Sequence, residues 1–500
     1  MARQKFKDSL MDSETFAKRY HGNTSAQELP AIFPRNGGTS YQQKGPHIST
    51  NGVPATRLTR LPVPRLLSAH LAAVLVLITL AATGATWTVS EKIPLGESVV
   101  WLRPDPGRPW LYAIDQQNSE VLFIDLRTAT VQKSIYVGDG PSDLDIDATD
   151  NFLYIANEGP GTGLFGSWRI GVVELTNQTL IDSFITSVPA VHVTAGRPGR
   201  LYYNEGAEVH SVNTDTGVDL GAFNYIKTRM VIFSDKTRLF GQYVYTGNLG
   251  AMADFDVSTD QITLLDTAYY SPYPYGWAYD NYSLSGDNHY LGYGQIMFTA
   301  TNFSDQIGEF PEQIYALNSD GSVAFGQSSI WDTTTFPIHG SATQITNMPF
   351  STTLMIFDSH TNVLYAFNPA DSTVYAVAQA TAHGIPLSWL TYYGLSTNDS
   401  VESQQLGNDG RTVLQDWLLD KSPTNPAPGL ALAWSSNSAV NVQNTSARRY
   451  YQLQRSANIN SASWQTLAES KGSGSNLVFD VSADRTRFPS AFYRVSPRVY

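Results

Sequence analysis

The stretch DLDIDATD, residues 143–150, sets Asp143, Asp145 and Asp147 at every second position, with Leu144 and Ile146 between them. Alternation of period two is strand periodicity, so these carboxylates share one face and can gather a cation or a polar ligand. The plainer account puts Asp147 and Asp150 in a turn and leaves the other acids solvated. The stretch lacks the glycine that follows the third acid of a calcium loop. Histidines supply the other chemistry-bearing side chains, and His192 in PAVHVTAG and His339 in PIHGSATQ occupy comparable segments. An imidazole beside a carboxylate can act as a general base or a metal ligand, or can simply be a satisfied structural residue. His210, His289 and His360 lie in the same region of the chain. No His-Glu-x-x-His or Gly-x-Ser-x-Gly string occurs. With no cysteine in 500 residues, disulfides, thiol catalysis, cysteine-ligated zinc and iron–sulfur clusters are excluded.

A second candidate is aromatic. YYSPYPYGWAYDNY, residues 269–282, carries seven rings in fourteen positions. Tyr269, Tyr270, Tyr273, Tyr275 and Trp277 offer faces on which sugar rings can stack, and Asp280 and Asn281 can bond to hydroxyls. The competing account is packing between elements. GTGLFG, residues 161–166, satisfies Gly-x-Gly-x-x-Gly, but the strand pattern WRIGVVEL follows where a dinucleotide site needs a helix. The net charge of −12 argues against nucleic acid as a partner. No catalytic residue and no cofactor are assigned, and the metal question stays open.

The elements that must position these groups are visible as a repeat. From Gly96 to Ile135, and again from Gly138, the chain runs through a Gly/Pro lead-in, an alternating strand, a polar turn and a Leu-Tyr strand. A third strand ending in an acidic residue, a Thr/Asn turn and a fourth strand complete each unit. Leu111-Tyr112 recurs as Leu153-Tyr154 and Leu201-Tyr202, with weaker copies onward to Val377. Four short strands in every forty to sixty residues describe a β-propeller blade. Six units are countable, and the strand 86–95 either completes the last blade or belongs to a seventh, so an all-β, six- or seven-bladed propeller is predicted. Inner strands line the axis of such a ring. That sets the acids, His192 and His339 at the central channel. Aligning PYGWAYD with PSDLDID places Pro274 on Pro141 and the tyrosine cluster in the leading loop and inner strand of blade five.

The first two units resemble the YVTN family of β-propellers over about ninety residues. The matching positions are Phe123-Ile124-Asp125, Thr128, Val131, Gly138, Pro141, Asp150 and Leu153 to Asn157. The resemblance implies a fold and no activity. Beyond Val377, Gly384, Pro386, Trp389, Tyr393, Gly394 and Leu395, then Asp409, Gly410, Leu414, Pro423, Asn425 and Pro426, resemble a module near the ends of exported bacterial proteins. There, a calcium-type loop and a short helix lead into a small β-sandwich, matched here by Trp434, Trp464, Phe479-Asp480 and the closing FYRV. With Gly410 at position 6 of such a loop, positions 1, 3, 5 and 12 are Gln405, Gly407, Asp409 and Asp416, so only two carboxylates remain.

Residues 1–65 hold ten Lys/Arg against four Asp/Glu with no apolar periodicity, and a disordered basic leader is expected. Arg57, Arg60 and Arg65 then precede an apolar run at 66–87, either a membrane anchor or a signal segment cleaved near Ala85. Both readings place everything after Trp87 outside the cytoplasm. The expected organisation is a propeller at 88–380, a helical linker with a degenerate calcium-type loop at 384–426, and a sandwich at 427–500. The expected role is that of a monomeric extracytoplasmic protein binding a carbohydrate or surface polymer, attached to the membrane through 66–87 if uncleaved. The alternative is a propeller enzyme of lactonase or lyase type with a divalent cation in the channel.

Overall fold

A computed structural model describes residues 86–499, apart from 148, 150, 160–167, 187, 205–207, 225–228, 246–248, 270–281, 335, 337–341, 408, 426, 437 and 461–462. Within these residues lie seven four-stranded antiparallel sheets, arranged as the blades of a β-propeller. Their inner strands are Trp101–Pro104, Pro141–Ile146, His192–Ala195, Val231–Ile232, Tyr282–Leu284, Ile314–Leu317 and Met355–Asp358. Each inner strand adjoins the next, and the seventh adjoins the first.

The stacking follows from the side-chain period of two. In Phe152–Asn157, the second strand of blade two, Leu153 and Ile155 enter a core shared with Tyr112, Ile114 and Phe123 of blade one. Tyr154 and Ala156 point the opposite way, into a core shared with Leu201 and Tyr203 of blade three. A sheet apolar on both faces cannot remain in water alone, so neighbours are obligatory and the row closes into a ring.

Closure uses both ends of the propeller segment. Strand Thr86–Pro94 pairs antiparallel with Thr373–Ala380 and completes the last blade as its outermost strand; the seven sheets set the count at seven, one more than the six units countable in the sequence. Its register shifts between Val89 and Glu91. The turns between strands also repeat: Asp125 and Asn213, ending third strands, accept from the Arg127 and Asp215 amides, and Asn368, ending the second strand of blade seven, accepts from Ala370. Four residues after each of these caps the backbone is left-handed, at Ala129 (φ 52°), Gly217 (φ 68°) and Ser372 (φ 50°). The acidic ending and Thr/Asn turn of the repeat are therefore a turn device.

After the propeller come helices Leu387–Tyr392 and Val413–Leu419, the second opened by a capping box between Thr412 and Gln415. Ahead of the second helix, Arg411 bonds both Asp409 at 2.5 Å and Asp416 at 2.6 Å, and donates to the Ala427 carbonyl at 3.1 Å. A guanidinium thus lies between the acids. The sandwich packs Ala431–Ser436, Ala439–Gln443 and Leu477–Asp480 against Gln465–Lys471, Tyr450–Ser456 and Phe492–Arg498, with Val442, Tyr451, Leu453 and Phe479 between the sheets. Arg449, fully buried, donates to the Trp417 carbonyl at 2.7 Å and lies over the Trp417 ring. Arg448 and Lys471 reach the propeller at Glu91 and at the Ala129 carbonyl, on either side of the ring's closing seam.

Candidate functional site

All seven inner strands contribute to an axial cavity of about 530 Å³. Its wall mixes rings (Trp101, Tyr282, Tyr315, Phe357) with hydroxyl and amide groups (Ser283, Ser285, Asn288, Ser359). Pro106, Asp147, Lys236, Asn288 and His360, from the turns that follow inner strands, carry the lining outward. The order along the strands explains this arrangement: short inner strands with small or polar turn residues leave room at their trailing ends.

Asp143 and Asp145 are not solvated, and they do not act together; Asp150 lies outside the described residues. Asp143 is 2% exposed and Asp145 5%. Asp143 accepts from the Val193 amide at 3.4 Å and Asp145 from the Ala195 amide at 2.9 Å. Each carboxylate thereby ties the inner strand of blade two to that of blade three. Asp145 also pairs with Arg103 of blade one at 2.7 Å. Asp147 turns away and caps its own turn, accepting from the amides of Asn151 at 2.7 Å and Phe152 at 2.9 Å. The turn half of the plainer account is correct for Asp147, while solvation of the other two is overturned by their burial. Leu144 and Ile146 lie in the core shared with blade one.

His192 lies beside Asp143, while Val193 and Thr194 are the residues of its strand that line the cavity. The His192 Nδ1 lies 3.3 Å from Asp143 Oδ2, and Arg229 Nε lies 3.7 Å from the same oxygen. The Arg229 guanidinium sits 3.4 Å from the centre of the Trp101 ring, whose Nε1 donates to the Leu144 carbonyl at 3.2 Å. Trp101 belongs to blade one and Arg229 leads into blade four. These blades are not neighbours, so the stacked pair bridges the channel, with Asp143 and His192 on its flank. Sequence reasoning missed Trp101 and Arg229. The one available signal was an aromatic residue opening the first inner strand in VVWLRPD and a lone arginine opening the fourth in TRMVIF.

Other predicted positions separate. His210 stacks on Tyr203 and bonds Asp219 at 2.8 Å in the third strand of blade three, away from the axis. His360 lines the outer cavity, with its amide donating to Asp358 at 3.0 Å. His339 lies outside the described residues, as do Tyr270, Tyr273, Tyr275, Trp277, Asp280 and Asn281. Tyr269 ends the fourth strand of blade four, its side chain not described. The described inner strand of blade five begins at Tyr282, and the positions assigned to it by alignment, Tyr275 and Trp277, lie outside the described residues. Tyr282 itself is buried and stacks on Tyr293 at 4.9 Å, a packing role. Among the described residues no three His, Asp or Glu side chains gather to hold a metal ion. Also among them, no helix is long and apolar enough to cross a membrane; residues 66–85 lie outside this set.

No family model matches the sequence, and no curated protein does. Among solved structures, Kuenenia stuttgartiensis hydrazine synthase is similar over 60% of this chain and 99% of its own, at 11% identity and a TM-score of 0.45. The Cps50 (Swd1) β-propeller domain of Myceliophteria thermophila matches over 58% and 99%, at 11% identity and a TM-score of 0.46. A chain of a mitotic checkpoint complex matches over 65% and 98%, at 11% identity and a TM-score of 0.46. Likeness at this level carries no argument about function. The propeller architecture rests on the seven sheets and their closure.

Proposed function

We propose that this chain is an extracytoplasmic binding protein whose axial cavity receives a carbohydrate, free or as the end of a surface polymer. One observation carries the reading: the cavity wall of rings, hydroxyls and amides. Rings stack on the apolar faces of sugars, hydroxyls and amides bond to sugar hydroxyls, and about 530 Å³ suits a ligand of a few rings. Tyr315 is the ring best placed to stack. It is partly exposed, and its hydroxyl is anchored to Gln313 at 2.9 Å. The address derives from the arginines ahead of the apolar run at 66–87. A glycan array probed with the full chain tests the ligand class, and absence of any bound glycan overturns it. Protease added outside intact cells tests the address; protection of the propeller contradicts it.

The 3.3 Å approach of His192 to Asp143 favours a second reading, in which the imidazole, whose Nδ1 has no hydrogen-bond partner among the described residues in the resting arrangement, turns to the carboxylate and acts as a general base. Hydrolysis of a lactone or glycan lost in His192→Ala but retained in His210→Ala would support that reading over simple binding.

A further inference from the structure

We propose that the outer face of the sheet built from Gln465–Lys471, Tyr450–Ser456 and Phe492–Arg498 binds an acidic polysaccharide. The residues that alternate outward on its strands are Gln452, Gln454, Phe492, Arg494 and Arg498, the opposite set to the core residues Tyr451, Leu453 and Val495. Two of them repeat one arrangement. Arg494 Nε donates to Gln454 Oε1 at 2.8 Å, and Arg498 Nε donates to Gln452 Oε1 at 3.1 Å. Gln454 is itself 4% exposed and bonds Gln452 at 3.1 Å and Thr466 at 3.4 Å, so the mounting is rigid. The Arg494 guanidinium stacks 4.4 Å from the Trp464 ring centre. Both arginines are exposed, and neither has a carboxylate partner among the described residues. The one acid on this face, Glu469, accepts from Gln452 at 2.7 Å.

Charge and spacing select the partner. Residues 427–500 hold eight Lys/Arg against three Asp/Glu, in a chain whose net charge is −12. Arg448 and Lys471 face the propeller, Arg449 is buried, Arg455 is paired with Asp484, and Arg485 and Arg487 lie on the helix Ser482–Arg487, which leaves Arg494 and Arg498 as the cations of this face. Four residues along one strand separate them by about 13 Å. A single small anion cannot meet both guanidinium groups, whereas a chain of repeating carboxylates can meet each through a forked contact. The flat amide-bearing face beside a tryptophan suits sugar rings between those carboxylates. The sugar identity rests on the carbohydrate reading above; the anionic character rests on this face alone.

The test is affinity electrophoresis of the full chain in gels containing polygalacturonate, neutral dextran or polyphosphate. The expected result is retardation by polygalacturonate that weakens with added salt, with little retardation by dextran. Arg494→Gln with Arg498→Gln should weaken the polygalacturonate interaction at least about tenfold, while melting stays unchanged. Failure of the axial reading would appear as a glycan array with no bound glycan, and would leave this result standing. No retardation by polygalacturonate, retardation unaltered by the double substitution, or equal retardation by polyphosphate would overturn the proposal.

Discussion

Arg448 grips Glu91 as a fork: Nε to Oε1 at 3.1 Å and the terminal nitrogen to Oε2 at 2.8 Å, across 357 positions of sequence. Glu91 sits on the strand that closes the propeller, and Arg448 belongs to the sandwich, so the last module holds the first strand in place. Burial works against the charged guanidinium, but Glu91 and Asp420 outweigh it and keep Arg448 well above its ordinary range.

Removing only one partner should therefore be worse than removing both. Arg448→Met leaves a buried carboxylate unpaired, and with the arginine partly exposed the expected loss is about 1–3 kcal/mol. Glu91→Gln combined with Arg448→Met should recover part of that loss. Chemical denaturation of the two single variants and the double variant gives the coupling; strict additivity would mean the fork contributes nothing. The same contact bears on the fragment 88–380 taken without the sandwich. That fragment should fold with a lower midpoint than the full chain.

The axial acids should behave as fasteners. Asp145→Ala strands the Ala195 amide and removes the partner of Arg103, at an expected cost of about 2–4 kcal/mol. Asp147→Ala removes only a turn cap and should cost about 1 kcal/mol. Thermal melting ranks the two, and the reverse order would restore Asp145 as a ligand group.

Much of this architecture was legible in the sequence because blades repeat it. The Leu-Tyr pairs mark second strands buried on both faces, and the acid-then-Thr/Asn ending marks a turn whose cap and left-handed residue recur at Asp125, Asn213 and Asn368. The site was less legible. Period two correctly placed Asp143 and Asp145 on an inner strand, yet cannot say whether a carboxylate meets a ligand or the amide of the next strand. Arg229 and Trp101 come from blades on opposite sides of the ring, and no local pattern links them.

Acid should loosen the propeller through its turn caps. Burial pushes the Asp125 carboxyl up, but the Arg127 guanidinium and backbone amide outweigh it and hold Asp125 below the ordinary carboxylate range. A carboxyl depressed in the folded state adds stability that is complete above its unfolded pKa and is lost as pH falls through the folded value. The melting midpoint should thus decline from about pH 5 downward. In Asp125→Asn that decline should be shallower, with a lower midpoint at pH 7. An unchanged slope would remove Asp125 from the account.

Chelation should do little to the linker. Arg411 supplies the positive charge between Asp409 and Asp416, whose carboxyl burial pushes up and Arg411 draws back. Excess chelator should leave the melting temperature within about 1 °C, whereas Arg411→Ala should cost about 2–4 kcal/mol. A large drop with chelator alone would show that the loop holds an ion.

The central claim is that the axial cavity binds sugar. Its most direct test is a calorimetric titration of the best array glycan into the parent, Tyr315→Ala and Tyr273→Ala. Tyr315→Ala should weaken binding by about 1–3 kcal/mol, beside a modest drop in melting temperature from its lost packing against the adjoining core. Undiminished affinity in Tyr315→Ala, with the loss confined to Tyr273→Ala, would contradict it and move the site to the tyrosine-rich stretch at 269–282.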